Sequence, residues 1–135
     1  MDATSEIKCI NPESMAKPGG HYSHAVVAGG MVYVSGQLPI TPAGEKLVNA
    51  TFADQARQVL ANIEAALAAA GSGVDRLVQV RVYVTDIAHW PEFNRLYADW
   101  TTQLANEHRP ARAVVPVPAL HFGLLIEAEV IAALR

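Results

Sequence analysis

Two groups of residues in this chain have types and spacings that could do chemistry. The first is Arg112, alone among small and apolar neighbours in HRPARAVVPVPAL, residues 108–120. A guanidinium grips a carboxylate with two parallel hydrogen bonds, so an acid is its natural partner. The second group is Glu127 and Glu129 in GLLIEAEVIAAL. Side chains of a strand alternate between its faces, so these two carboxylates share one face. Each group has two readings. Arg112 is either a substrate anchor or an internal partner of Glu127 or Glu129. The carboxylates either line a solvated face, or at least one points into a cleft where partial desolvation raises its pKa and fits it for proton transfer.

Other familiar chemistries find little support. There is no GxGxxG and no GxxxxGK[ST], so no nucleotide cofactor is expected. The five histidines include one close pair, His21 and His24, with no cysteine or carboxylate nearby to complete a metal site. Ser35 lies in VSGQ, outside any GxSxG elbow, and no base is identified for it. The single Cys9 cannot form an internal disulfide. No cofactor and no metal are expected.

The elements that must position these groups follow from periodicity. A short strand-like piece covers Ile7 to Ile10. AVVA (25–28) and VYVSGQL (32–38) flank Gly29-Gly30 and predict a tight hairpin. Residues 38–50 form a loop broken by Pro39, Pro42 and Gly44. TFADQARQVLANIEAALAAAG predicts a helix with Phe52, Ala56, Val59, Leu60, Ile63, Leu67 and Ala70 on its buried face. Thr51 with Asp54 resembles a capping box, and Gly71 supplies the stop. LVQVRVYVTD (77–86) alternates, with Val78, Val80, Val82 and Val84 on one face and Gln79, Arg81, Tyr83 and Thr85 on the other. Pro91 opens a second helix whose stripe is Phe93, Leu96, Tyr97, Trp100 and Leu104. ARAVVPV and GLLIEAEVIAAL are the last strands. Pro116 and Pro118 cannot donate to a ladder, so pairing should stop soon after Arg112.

This order predicts an α+β fold with a mixed sheet and both helices on one side. Residues 1–135 read as one domain, with 1–20 mostly irregular. The other sheet face would carry Tyr83 and Val114, and self-association is an economical cover for it. The net charge of −3 offers no attraction to nucleic acid, and no run of about 18 apolar residues could span a membrane. A cytoplasmic protein is expected.

Taken together, HYSHAVVAGGMVYVSGQLP, QARQVLANIEAALAAAG, VRVYVTDIAHWPEFN, RPAR and IEAEVIA resemble the YjgF/RidA family from about Ile7 to Ala132. Its members hydrolyse reactive enamines and imines to oxo acids and ammonia. The resemblance implies a chorismate-mutase-like fold, with six strands and two helices on one face, assembled as a homotrimer with sites between subunits. It implies that Arg112 binds the substrate carboxylate and Glu127 positions or activates water. Tyr22, Ser35, Gly36 and Asn94 would contact substrate. Val114 stands where many members have cysteine, and His21 where many have proline, which bears on substrate range. Small imino and oxo acids are the expected ligands. Alternatives on the same fold are a non-catalytic small-acid-binding or regulatory protein and an RNA-cleaving translation inhibitor.

Overall fold

The computed structural model describes residues 6–135. The chain runs β1 (Lys8–Ile10), β2 (Ala25–Ala28), β3 (Met31–Gln37), α1 (Phe52–Ala69), β4 (Leu77–Val84), α2 (Trp90–Ala105), β5 (Ala111–Pro116) and β6 (Ile126–Ala133). The six strands form one mixed sheet in the order β1-β2-β3-β6-β4-β5. Every pairing is antiparallel except β4 with β5, which α2 joins as a crossover.

Local chemistry sets most of these boundaries. Gly29 (φ 57°) and Gly30 (φ 77°) both occupy the left-handed region, where a side chain would be strained. The hairpin can therefore close in two residues, with Ala28 opposite Met31. The Thr51 side chain caps α1 by accepting from the Asp54 N–H at 3.2 Å. Only that half of the expected capping box is found, because the Asp54 carboxylate accepts from Arg57 instead.

The core fills the space between one sheet face and the two helices. Ile63 and Leu67 of α1, Phe93 of α2, Val80 and Val82 of β4 and Ile126 of β6 are all buried there. Two buried amides tie loops to this layer. Gln55 accepts from the Leu125 N–H, and Asn62 donates to the carbonyls of Leu38 and Ile40. The opposite sheet face has no helix on it, and Tyr33, Val78 and Val115 are exposed.

Four sequence expectations need correction. A register shift between Leu77 and Gln79 turns Leu77 into the core and leaves Val78 47% exposed. Phe93, Leu96, Tyr97 and Trp100 of the expected α2 stripe pack on the core, but Leu104 is 44% exposed, and Thr101 and Ala105 are buried in its place. The β4–β5 ladder does not stop near Arg112 but reaches Pro116, and the Val117 N–H still bonds the Val84 carbonyl at 2.9 Å. Proline is tolerated because β5 is an edge strand and position 116 directs its nitrogen to the free side. Val114 pairs with Val82 and packs against the core, so it lies on the helix face, not the open one.

The bulge at Val78 can be tested with two neighbouring substitutions. Leu77→Ala should cost about 2–5 kcal/mol as a cavity in the core. Val78→Ala should cost about 0.5 kcal/mol or less. Urea denaturation measures both, and the reverse ranking would place Val78 inside.

Candidate functional site

Arg112 is the second residue of β5 and lies beside Val80, which is buried toward the helices. Its side chain therefore rises on the helix face at the sheet's edge, where α2 meets it. The approach to β5 is tightly built. Asn106, in the left-handed region at φ 57°, ends α2 and turns the chain. The His108 ring Nε2 then bonds the Leu77 carbonyl at 2.6 Å, holding the start of β5 against β4. Arg112 Nη1 donates to Asn94 Oδ1 at 3.0 Å, and the guanidinium carbon stands 4.9 Å from the centre of the Tyr97 ring.

Arg112, Asn94, Tyr97, Thr101 and Arg109 line a cleft of about 580 Å³. Burial raises the Tyr97 phenol's pKa, partly opposed by the charge of Arg112, so the ring stays neutral beside it. No carboxylate pairs with Arg112 among the described residues.

Glu127 belongs to β6, the strand between β3 and β4. Its neighbours Ile126 and Ala128 are fully buried toward the helices, and Glu127 lies opposite Tyr83. Alternation therefore sends Glu127 and Glu129 to the open face, on the other side of the sheet from Arg112. This excludes the internal ion pair between Arg112 and either glutamate. Tyr83 donates its hydroxyl to Glu129, and that bond is the main reason its own pKa is raised.

Glu127 sits in a cleft of about 430 Å³ with Gly36, Tyr83, Leu120 and Glu129. Burial raises its pKa above the ordinary glutamate value; nearby His121 opposes the shift and Glu129 adds to it. Gly36 makes room for it, since a Cβ there would stand 2.9 Å from Glu127 Oε2.

The Ser35–Gly36 segment is a bulge, marked by a register shift between Val34 and Gln37. Three side-chain hydrogen bonds hold it, besides the Ser35 N–H to the His24 carbonyl at 2.9 Å. Ser35 Oγ donates to the Ser23 carbonyl at 2.6 Å, so this hydroxyl is already engaged. The buried Gln37 donates to the Ser35 carbonyl and to His24 Nδ1. His24 Nε2 in turn bonds the Ala16 carbonyl at 2.6 Å. Tyr22 is exposed, accepts from the Gly19 N–H through its hydroxyl, and shares a small cavity with Gly36.

The structure thus sets Gly36 beside Glu127 in one cleft and Asn94 beside Arg112 in the other, while Tyr22 meets Gly36 in a separate small cavity and Ser35 lines none of the three. Val114 lines neither cleft. Sequence reasoning missed Tyr97, Gln37 and His24 as parts of these clusters. Tyr97 carried a signal, because a tyrosine inside an apolar stripe must account for its hydroxyl. Gln37 carried none beyond being polar at the end of a buried strand.

Residues 13–134 match the family model described as endoribonuclease L-PSP. HMF1 of Saccharomyces cerevisiae is 43% identical over 123 residues, covering 91% of this chain and 92% of that protein. The crystal structure of the YjgF gene product from E. coli superposes with a TM-score of 0.88 at 37% identity, covering 95% of this chain and 99% of that one. E. coli TdcF, solved with bound serine, gives a TM-score of 0.88 at 32% identity with the same coverage. The chain therefore belongs to the YjgF/RidA family, which the L-PSP model describes.

The raised pKa of Glu127 has a thermodynamic consequence. The native carboxyl holds its proton to higher pH than the unfolded one, so stability falls as pH rises through that window. Glu127→Gln should match wild type below about pH 4 and melt higher at pH 7. A melting difference that stays the same from pH 4 to 7 would contradict the shift.

Proposed function

We propose that this protein is an imine/enamine deaminase that hydrolyses reactive 2-imino acids, and the 2-enamino acids that tautomerise to them, into 2-oxo acids and ammonia. The observation that carries this reading is the division of the site. Arg112 offers an unneutralised guanidinium on one sheet face, and Glu127 offers a half-buried carboxyl with a raised pKa on the other. Each is half of a site, and a second copy laid against the open face would join the halves. A homotrimer with clefts between subunits is the assembly proposed. The TdcF neighbour, solved with serine, supports a small amino- or oxo-acid ligand.

In this mechanism Arg112 binds the substrate carboxylate and fixes the C=N carbon near Glu127, so part of the barrier is met by positioning. Glu127 removes a proton from water as the water oxygen attacks that carbon of the protonated imine, and the C=N π pair moves onto nitrogen. The carbinolamine then collapses. Glu127 delivers the proton it took from water to the amino nitrogen, the C–N bond breaks with its electron pair leaving on nitrogen as ammonia, and Glu127 takes the hydroxyl proton as the oxo acid forms. A protonated imine is already electrophilic, so the arginine and the acid suffice. Tyr22 and the Gly36 backbone would border the substrate beside Glu127. The cytoplasm, where imines leave other enzymes, is the proposed setting.

The test generates 2-iminobutanoate with an amino-acid oxidase and follows semicarbazone formation with and without the protein. Wild type should speed the loss of imine. Arg112→Ala should raise KM about 10- to 100-fold, the scale of a lost charged hydrogen bond. Glu127→Gln should lower kcat about 10²- to 10⁴-fold. A wild-type protein that binds 2-oxobutanoate without speeding hydrolysis would instead be a binding module. RNA cleavage lost in Arg112→Ala would favour the activity in the family model's description.

A further inference from the structure

Arg112 is held by two groups, and neither is an anion. Asn94 Oδ1 accepts from Nη1 at 3.0 Å, and the Tyr97 ring lies 4.9 Å beneath the guanidinium carbon. Both come from the same face of α2, one turn apart, and the ring is only 8% exposed. The Phe93 and Trp100 rings flank Tyr97, with centroids 5.6 and 6.0 Å away, so it cannot swing freely. Its hydroxyl is buried and makes no hydrogen bond to any described residue.

An arginine is most simply fixed by a carboxylate, but such a partner neutralises the charge it holds. An amide oxygen and a π face fix direction while leaving the net charge intact for a ligand. We propose that Tyr97 is a positioning residue for Arg112, and that with Asn94 it forms an uncharged clamp that keeps the guanidinium ordered yet free to bind an acid. The ring face, not the hydroxyl, does the positioning. The hydroxyl is enclosed and points to no partner, so phenylalanine could replace tyrosine without losing the clamp. This inference rests on the proposed role of Arg112 as a carboxylate anchor.

Binding of 2-oxobutanoate by isothermal titration calorimetry reads the clamp directly, and steady-state imine hydrolysis gives KM and kcat. Tyr97→Phe should bind like wild type and melt at a higher temperature, because a buried unpaired hydroxyl is gone. Tyr97→Leu keeps an apolar filler but removes the π face, and should weaken binding and raise KM by roughly 3- to 30-fold with kcat little changed. Asn94→Asp puts a carboxylate on the guanidinium. It should weaken binding by about tenfold or more while the melting temperature is unchanged or rises, which a merely structural asparagine would not do.

Wild-type affinity in Tyr97→Leu or in Asn94→Asp overturns the clamp, as does a Tyr97→Phe variant as impaired as Tyr97→Leu. If wild type binds 2-oxobutanoate but does not hydrolyse imines, the reaction is wrong, while the clamp is still judged by binding. If Tyr97→Leu does not fold, Asn94→Asp alone decides.

Discussion

Side chains alternate between the two faces of a strand, and here only one face is covered by helices. That single constraint organises the molecule. β6 lies between β3 and β4, so its alternate residues Ile126, Ala128, Val130 and Ala132 must enter the core. Glu127 and Glu129 are then committed to the open face. The same alternation, carried through β4 to β5, commits Arg112 to the helix face. The two glutamates cannot change face without turning their carboxylates into the core, at a cost of several kcal/mol each, whereas Arg112 is held to its face by the parallel register of β5 with β4. The separation of Arg112 from Glu127 is thus a consequence of the strand pattern and pairing, and within one chain the two stay on opposite faces.

The surroundings of Arg112 and Glu127 are built by different means. On the helix side, α2 supplies rigid groups that aim Arg112, and the helix is itself fixed by Phe93 in the core. On the open side, space is provided by removal: Gly36 has no side chain, and a bulge pinned by Gln37, Ser35 and His24 sets its position. The first arrangement orders a long flexible cation, which loses much rotamer entropy when fixed. The second leaves a short carboxylate partly out of water, and that desolvation is the main cause of its raised pKa.

Local periodicity made the elements legible. The Gly29-Gly30 hairpin, the Thr51 cap and the alternation of β4 from Val80 onward stand where their residue types place them. The unreadable features depend on a second strand. A bulge adds one residue relative to a partner, so nothing within 77–79 announces it and at 34–37 only Gly36 hints at it, yet the first decides whether Leu77 or Val78 is inside. Val114 was assigned to the open face for the same reason, since the parallel register with Val82 is a property of the pair. Arg112 and Glu127 were recognisable as candidates by type and setting. Their opposite faces were not, because chain order carries no information about which strand becomes the central one.

The prolines after Arg112 acquire a role from the position of β5. This strand is the rim of the sheet, and a rim with free N–H groups invites a stray strand to add on. At Pro116 there is no N–H to offer on that side, while the Val117 N–H still closes the inner ladder. Arg112 can therefore stand near an open edge on a strand poorly suited to seeding an aggregate.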